Sequence, residues 1–380
     1  MKKFKILFSL IAIALMLFGS SLPSVKAQQE ILQGAKSAIL ITDSGNILYE
    51  KNCDEKQPIA SIVKLMTLKV VFDNIENKAL SIDDEIVVSE YASSMGGSQM
   101  FLDANSTHKL GDIMKGVIVA SANDGAVVLA ETVAGSEKNF VDMMNKKASE
   151  MGLTNTYFTD CSGLSSDHYS TAKDVATLAS SVLTNNIYQS YSNIWLENYI
   201  HPSGRVTELA NTNRLIRFFS GCDAGKTGST DEAGYCLVAT AKREDMRLIS
   251  VVLGEKTSSD RFSESKDVLN YGFNHFESKT LLKSREVCQT VSIKKHHKPV
   301  DLYPQKDVKI VSKKGDEINY TTEFEIINQC APIKKGEVVG YVKVISDGEV
   351  LTKVNLVTNQ DVEKSNVFEI ADNLIKNWKI

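Results

Sequence analysis

Two hydrophobic periods alternate along the first two thirds of the chain. Ser37-Ala38-Ile39-Leu40-Ile41-Thr42 and Ile47-Leu48-Tyr49-Glu50 are short β-rich runs separated by the turn residues Asp43-Ser44-Gly45-Asn46, so the pattern predicts two strands. From residue 61 to about 74 the apolar spacing becomes helical. Ile86-Val87-Val88 reads as a short strand, and residues 94–102 as a glycine-bearing shaped loop without phosphate-loop spacing. Residues 110–131 are apolar and helical through Ile113, Val117, Ile118, Val127, Val128 and Leu129, with one polar interruption, Ser121-Ala122-Asn123-Asp124-Gly125. A further helix over 136–151 is closed by Gly152, and Thr171-Ala172-Lys173-Asp174 reads as a capping box before a helix over 175–183. Residues 235–241 and 246–253 predict an antiparallel hairpin, with Lys226-Thr227-Gly228 on a strand just before it.

From about Lys283 the pattern changes to short alternating strands. They fall at 287–293, 300–303, 308–311, 320–326, 338–344 and 350–357, with turns at Gly315-Asp316 and Asp347-Gly348. This predicts a small all-β domain. At the end, Val367, Ile370, Ala371, Leu374, Ile375 and Trp378 share one helical stripe, which fits an amphipathic helix on a membrane surface or one packed on the β domain. Glu369 and Asp372 would make membrane binding weak.

The N-terminus adds a compartment. Lys2, Lys3 and Lys5 precede an apolar run from Ile6 to Phe18, and Val25 and Ala27 fit a small-residue cleavage site, so residues 1–27 read as a signal peptide. The net charge of −4 becomes −8 when those three lysines and Lys26 are removed. Nothing is basic enough to suggest a nucleic-acid partner. Six cysteines contain no C-x-x-C pair, and no disulfide pairing is expected in a catalytic domain of this size. The basic run Lys294-Lys295-His296-His297-Lys298 is read as a solvated face, and His168 as a structural loop histidine.

Three short motifs carry candidate chemistry. Ser61-Ile62-Val63-Lys64 places a hydroxyl and an amine at i and i+3, on one helical face. Serine is a poor nucleophile until a base takes its proton, and a lysine one turn away is such a base if it can lose its own. Alone, the motif reads equally as an N-cap serine followed by a surface lysine. Ser121-x-Asn123 places polar groups between apolar helices, where burial demands partners; a helix–helix turn with a cap is the plain alternative. Lys226-Thr227-Gly228 alone reads as a surface turn, although glycine on a strand lets a substrate backbone approach closely.

The three motifs occur together and in order, as in penicillin-binding proteins and class A β-lactamases. With Gly97-Ser98-Gln99-Met100-Phe101-Leu102, His168-Tyr169-Ser170-Thr171-Ala172, Gly225-Lys226-Thr227-Gly228, Arg261-Phe262 and Ala331-Pro332-Ile333-Lys334-Lys335-Gly336, the chain resembles the D-alanyl-D-alanine carboxypeptidases. These are the low-molecular-mass (type 5) penicillin-binding proteins of peptidase family S11. Two departures are small: Ser121-Ala122-Asn123 stands where Ser-Gly-Asn is commoner, and Ser229 where a larger residue is frequent.

The resemblance implies an α+β, β-lactamase/transpeptidase-like catalytic domain over residues 28–280: an antiparallel sheet with flanking helices and a helical subdomain. It implies a β-sandwich-like stalk over 281–362 and a C-terminal helix over 363–380, and an enzyme exported to the outer face of the cytoplasmic membrane or the wall. The substrate would be a peptidoglycan stem peptide ending in D-Ala-D-Ala, and β-lactams would acylate the same serine. Ser61 would be the nucleophile, Lys64 the base, and Ser121 the proton relay, with Asn123 holding Lys64 and the substrate amide. Lys226 would be the cation that depresses Lys64, and with Thr227 and Arg261 it would bind the terminal carboxylate. Backbone N–H groups of Ser61 and of Ser229, which follows Gly228, would form the oxyanion hole. No cofactor and no metal are implied.

Other readings compete. A β-lactamase would need a deacylating Glu-x-x-x-Asn, which residues 155–174 lack. A metal-dependent carboxypeptidase would need clustered His/Asp ligands. A non-catalytic penicillin-sensing or wall-binding protein could keep the fold, but here every catalytic group is present.

Overall fold

The structure, a computed structural model, describes residues 31–366. The expected signal peptide and the helix over 367–380 lie outside those residues. Elements follow in chain order: β1 (Ser37–Thr42), β2 (Ile47–Lys51), α1 (Lys64–Glu76), β3 (Glu85–Val87), α2 (Glu90–Ser93), β4 (Thr107–Lys109), α3 (Leu110–Val119), α4 (Asn123–Ala134), α5 (Glu137–Glu150), α6 (Ala172–Val182), α7 (Asn186–Ser192), β5 (Leu196–Ile200), β6 (Val206–Ala210) and α8 (Leu215–Phe218). Then come β7 (Cys222–Thr230), β8 (Gly234–Arg243), β9 (Met246–Glu255) and α9 (Ser258–His275). The rest is β10 (Phe276–Leu282), β11 (Gln289–Ser292), β12 (Pro299–Pro304), β13 (Val308–Lys313), β14 (Thr321–Ile326), β15 (Val338–Ser346) and β16 (Glu349–Val357).

The main sheet is antiparallel, in the order β2-β1-β9-β8-β7. All six residues of β1 are buried, so the sheet is covered on both faces. The period of two decides which residue faces which layer. Ile39, Ile41, Ile249, Val251 and Leu253 join the large cluster formed with the helices. Leu40 and Leu248 point the other way, onto Gly272 of α9. A helical subdomain of α1, α3, α4 and α5 fills out the first layer; the helix starts are capped by Ser136 at α5 and Thr171 at α6, as their sequence predicts. Only half of the expected capping box forms: the Asp174 N–H donates to Thr171 Oγ1, while the Asp174 carboxylate accepts from the Asn155 N–H and the Thr156 hydroxyl, and α6 begins three residues earlier than expected.

Several elements were not read from the sequence: α2, β4, α7, the hairpin β5–β6, α8, most of α9 and β10. In β5 only Tyr199 is buried, so little apolar alternation marks the strand. In α9 the apolar stripe is thin and polar residues dominate.

Beyond α9 the chain forms a second sheet in the order β11-β12-β16-β15-β14, and β10 pairs with β13. A separate aliphatic cluster built on Leu302, Val342, Val344 and Leu356 fills it. The basic run is only partly a solvated face. Its lysines are exposed, but His296 Nδ1 meets the Glu363 carbonyl at 2.7 Å and the His297 N–H donates to Ser365 Oγ at 2.9 Å, which pins the outgoing chain. All six cysteines are free thiols. Among the described residues, no helix is long and apolar enough to cross a membrane.

Candidate active site

Ser61 does not cap a helix. It lies inside a short 3-10 turn, Ala60–Val63, that runs into α1, and no side chain caps either start. Its hydroxyl is therefore not spent on a backbone N–H. The turn is entered through Ala60 at φ +47°, a left-handed conformation that costs a non-glycine residue about 1–2 kcal/mol. Ser121 has φ +61° and Phe101 φ +59°. Strained backbone thus recurs at segments that frame one cleft, as it does at functional sites in general.

Lys64 is completely buried. Its Nζ lies 3.0 Å from Ser61 Oγ, 2.6 Å from Asn123 Oδ1 and 2.5 Å from the Ser162 carbonyl. Among the described residues no carboxylate contacts it. Burial pushes its pKa down from 10.5 to about 8, against a smaller opposing pull from Cys161, Asp160 and Asp124. Lys226, also completely buried, donates to Ser121 Oγ at 2.7 Å and to the Thr227 carbonyl at 2.8 Å. Burial, and then the positive fields of Lys64 and Arg261, hold its pKa well below the ordinary lysine range. Two buried amines thus face one cleft without a counter-carboxylate among the described residues.

The remaining expected residues fall around these two. Asn123, at the start of α4, is oriented by its own amide donating to the Gly96 carbonyl at 2.7 Å. Ser121 meets Lys226; among the described residues no hydrogen bond joins it to Lys64. Gly228 lies against the serine turn: a Cβ there would stand 2.8 Å from the Ile59 carbonyl and 3.1 Å from the Ser61 N. Only glycine lets β7 approach so closely. Ser229 is exposed on β7, and Thr227 is nearly buried. Arg261, in the first turn of α9, donates to the Gly228 carbonyl at 3.1 Å and to Ser258 Oγ at 3.3 Å, and its buried Nε has no partner. The nine residues therefore converge, with Arg261 reaching the site through Gly228.

Four contributors were missed by the sequence reading. The Ser162 carbonyl receives Lys64, and a backbone oxygen leaves no signature in a side chain. Asp160 aims that carbonyl: its carboxylate accepts the N–H groups of Ser162 at 2.8 Å, Gly163 at 2.5 Å and Ser165 at 2.6 Å. An Asp shortly before a Gly is a turn signature that could have flagged it. Gly163, at φ +83°, seats this loop on the serine turn, where a Cβ would come within 2.2 Å of the Ala60 carbonyl. Asp124, buried, holds the Gly97–Leu102 loop by accepting from the Met100 N–H at 3.1 Å and the Leu102 N–H at 3.0 Å. His168 is buried, and burial lowers its pKa against the opposing fields of Asp160 and Asp167. Among the described residues no cluster of His, Cys, Asp or Glu could hold a metal.

The donor count is informative. A neutral lysine amine has two N–H bonds and one lone pair. Of the three partners of Lys64, the Asn123 oxygen and the Ser162 carbonyl can only accept. Ser61 is the one that can donate, so the lone pair of a neutral Lys64 falls on the Ser61 hydroxyl.

Residues 24–257 match the family model described as D-alanyl-D-alanine carboxypeptidase, and residues 276–364 the model of the penicillin-binding protein 5 C-terminal domain. The chain is 36% identical to the D-alanyl-D-alanine carboxypeptidase DacF of Bacillus subtilis, over 98% of this chain and 99% of that one. It is 34% identical to DacC of Escherichia coli, over 91% and 86%. Among solved structures, penicillin-binding protein 5 of Haemophilus influenzae matches with a TM-score of 0.68 and 33% identity, covering 87% of this chain and 98% of that one. The first of these family models spans more than half of the sequence, and the chain belongs to the D-alanyl-D-alanine carboxypeptidase family, peptidase S11.

Proposed function

We propose that the protein is a serine-type D-Ala-D-Ala carboxypeptidase that trims peptidoglycan stem peptides and is acylated by β-lactams at Ser61. The observation that carries this reading is the set of three partners around Lys64 Nζ, of which only Ser61 can donate. Neutral Lys64 takes the Ser61 proton as Oγ attacks the carbonyl of the penultimate D-Ala. The tetrahedral oxyanion is held by the N–H groups of Ser61 and Ser229; one such donor is worth about 3 kcal/mol of barrier. The proton taken by Lys64 passes by way of the Ser121 hydroxyl, which Lys226 holds in place, to the leaving amine; the terminal D-Ala departs and Lys64 is neutral again. Water then hydrolyses the ester with Lys64 again as base. Lys226, Thr227 and Arg261 hold the terminal carboxylate; Arg261 has the planar fork suited to it.

The match to the penicillin-binding protein 5 C-terminal domain supports a stalk role for the β module, with export and surface attachment as part of the same proposal. The test is intact-mass spectrometry after incubation with penicillin, together with D-alanine release from a peptide ending in D-Ala-D-Ala. A stable adduct absent in Ser61→Ala, with release of D-alanine, is expected. Rapid loss of the adduct with penicillin turnover would favour a β-lactamase. Adduct formation without peptide hydrolysis would favour a penicillin-sensing protein.

A further inference from the structure

Behind the Arg261 end of the site lies a carboxyl group that no N–H or hydroxyl reaches. Glu255, the last residue of β9, is 1% exposed, and neither of its oxygens has such a donor among the described residues. The group it touches is the carboxyl of Glu264 on α9. Glu264 in turn accepts from the Gly34 N–H at 2.7 Å and the Ala35 N–H at 3.0 Å. A methyl group at Gly34 would stand 2.5 Å from Glu255 Oε2 and 3.1 Å from Glu264 Oε1, so both carboxyls close over one backbone position. Two carboxylates in contact repel, and the contact is attractive only when one of them carries a proton. Glu264 has two N–H donors that favour its charged form. Glu255 has none, so the proton belongs on Glu255.

This pair joins the two elements that carry the carboxylate-binding groups. Glu255 is the cross-strand neighbour of Tyr235, and Tyr235 of Ser229. Glu264 stands one turn after Arg261 on the same helix. Arg261 lies over the Tyr235 ring, 5.4 Å from its centroid, and holds the Gly228 carbonyl.

We propose that Glu255 is a positioning residue for the carboxylate-binding end of the site: as a neutral acid it donates to Glu264 and ties β9 to α9. Ionisation sets two carboxylates against each other, spreads Ser229 from Arg261 and weakens binding of peptides that end in a free carboxylate. The substrate part of this rests on the carboxypeptidase reading.

Burial, and then the Glu264 carboxylate, raise the Glu255 pKa from 4.5 to about 8. Asp260 of α9 acts in the same direction and Lys51 of β2 against it. The Cys236 thiol of β8 lies within reach of its field. Lys36, before β1, and Lys256 line the pocket of about 490 Å³ to which Glu255 contributes. The folded form holds its proton to higher pH than the unfolded chain, so the stabilising contribution is complete below about pH 4.5 and is lost as pH rises through about 8.

The experiment compares wild type, Glu255→Gln and Glu255→Ala from about pH 6 to about pH 9.5. Melting temperature and the KM and kcat for a tripeptide ending in D-Ala-D-Ala are measured. Gln donates an amide N–H to Glu264 and cannot ionise. Wild-type KM is expected to rise about tenfold between pH 7 and 9.5, and that of Glu255→Gln less than about twofold. Glu255→Ala, with no donor, has a raised KM throughout, and Gln rescues it. Melting temperature falls more steeply with pH in wild type than in Glu255→Gln. An infrared carboxylic-acid C=O band at about pH 7, present in wild type and missing in Glu255→Gln, reads the proton directly. Parallel pH profiles in wild type and Glu255→Gln, or no such band, would overturn the proposal. Absence of D-alanine release by wild type would overturn the carboxypeptidase reading and the positioning role with it, while the melting and infrared arms still decide the pair.

Discussion

The cleft around Ser61 and the C-terminal β module solve opposite problems. The cleft buries Lys64, Lys226, Ser121, Asn123, Asp124 and Thr227. From Phe276 onward, only Thr352 and Thr358 among the described residues are buried polar side chains, and the rest of that core is mainly aliphatic. Burying an ammonium without a carboxylate is costly, and the cost surfaces as a depressed pKa. The molecule accepts that cost in the cleft, where the proposed mechanism asks for a lysine base, and nowhere among the described residues of the β module.

Replacing Lys64 gives the sharpest test of this contrast. Lys64→Met is expected to slow penicillin acylation by about 10³–10⁴-fold, as the loss of a general base does, while the melting temperature holds or rises. A fluorescent penicillin followed by stopped flow reads the first quantity and a thermal melt the second. A large drop in melting temperature would mean that Lys64 is a structural residue.

The pH dependence comes next. Lys64 must be neutral to accept the Ser61 proton, so acylation falls about tenfold per pH unit below its pKa of about 8. Folded Lys64 releases its proton at lower pH than the unfolded chain does. Its contribution to stability is therefore least below about pH 8 and recovers as pH rises towards 10.5. An acylation rate that stays flat from about pH 6 to 8 would remove Lys64 as the base.

In the β module the balance reverses. Leu302 is fully buried, and Leu302→Ala is expected to cost about 2–4 kcal/mol in denaturant unfolding while the acylation rate of the folded protein is unchanged. Coupled loss of acylation would make the module part of the site. Gly163→Ala should cost less stability, on the order of 2 kcal/mol, but should also slow acylation, because the Ser162 carbonyl moves with it. Smallest is Lys343→Ala, which removes an exposed pair with Glu325 at 2.6 Å; neither melting temperature nor acylation should change.

The three motifs were legible because each is a fixed spacing of distinctive side chains. Most strands and buried helices were legible for a similar reason, since their period matches their burial. The losses follow a pattern. The β5–β6 hairpin exposes Leu196, Ile200 and Val206, so its apolar residues face outward and mislead a reading based on burial. Asp160 and the Ser162 carbonyl act through backbone geometry. Glu255 was not singled out in the sequence, because nothing near it in the chain marks the Glu264 carboxyl that the fold of α9 brings onto it.

The sequence alone determined the inventory: two serine hydroxyls, two amines, an amide and a guanidinium, in an order that fits one class of chemistry. It also determined the two kinds of periodicity that separate a catalytic domain from a β module. Only the tertiary structure decided which amine meets which hydroxyl. Lys64 takes Ser61, 3 residues away, and Asn123, 59 residues away, and Lys226 takes Ser121 across 105. The physical reason is burial. A lysine in water is an ammonium whatever its neighbours in sequence, and it becomes a candidate base only where folding strips its water and leaves one partner able to give it a proton.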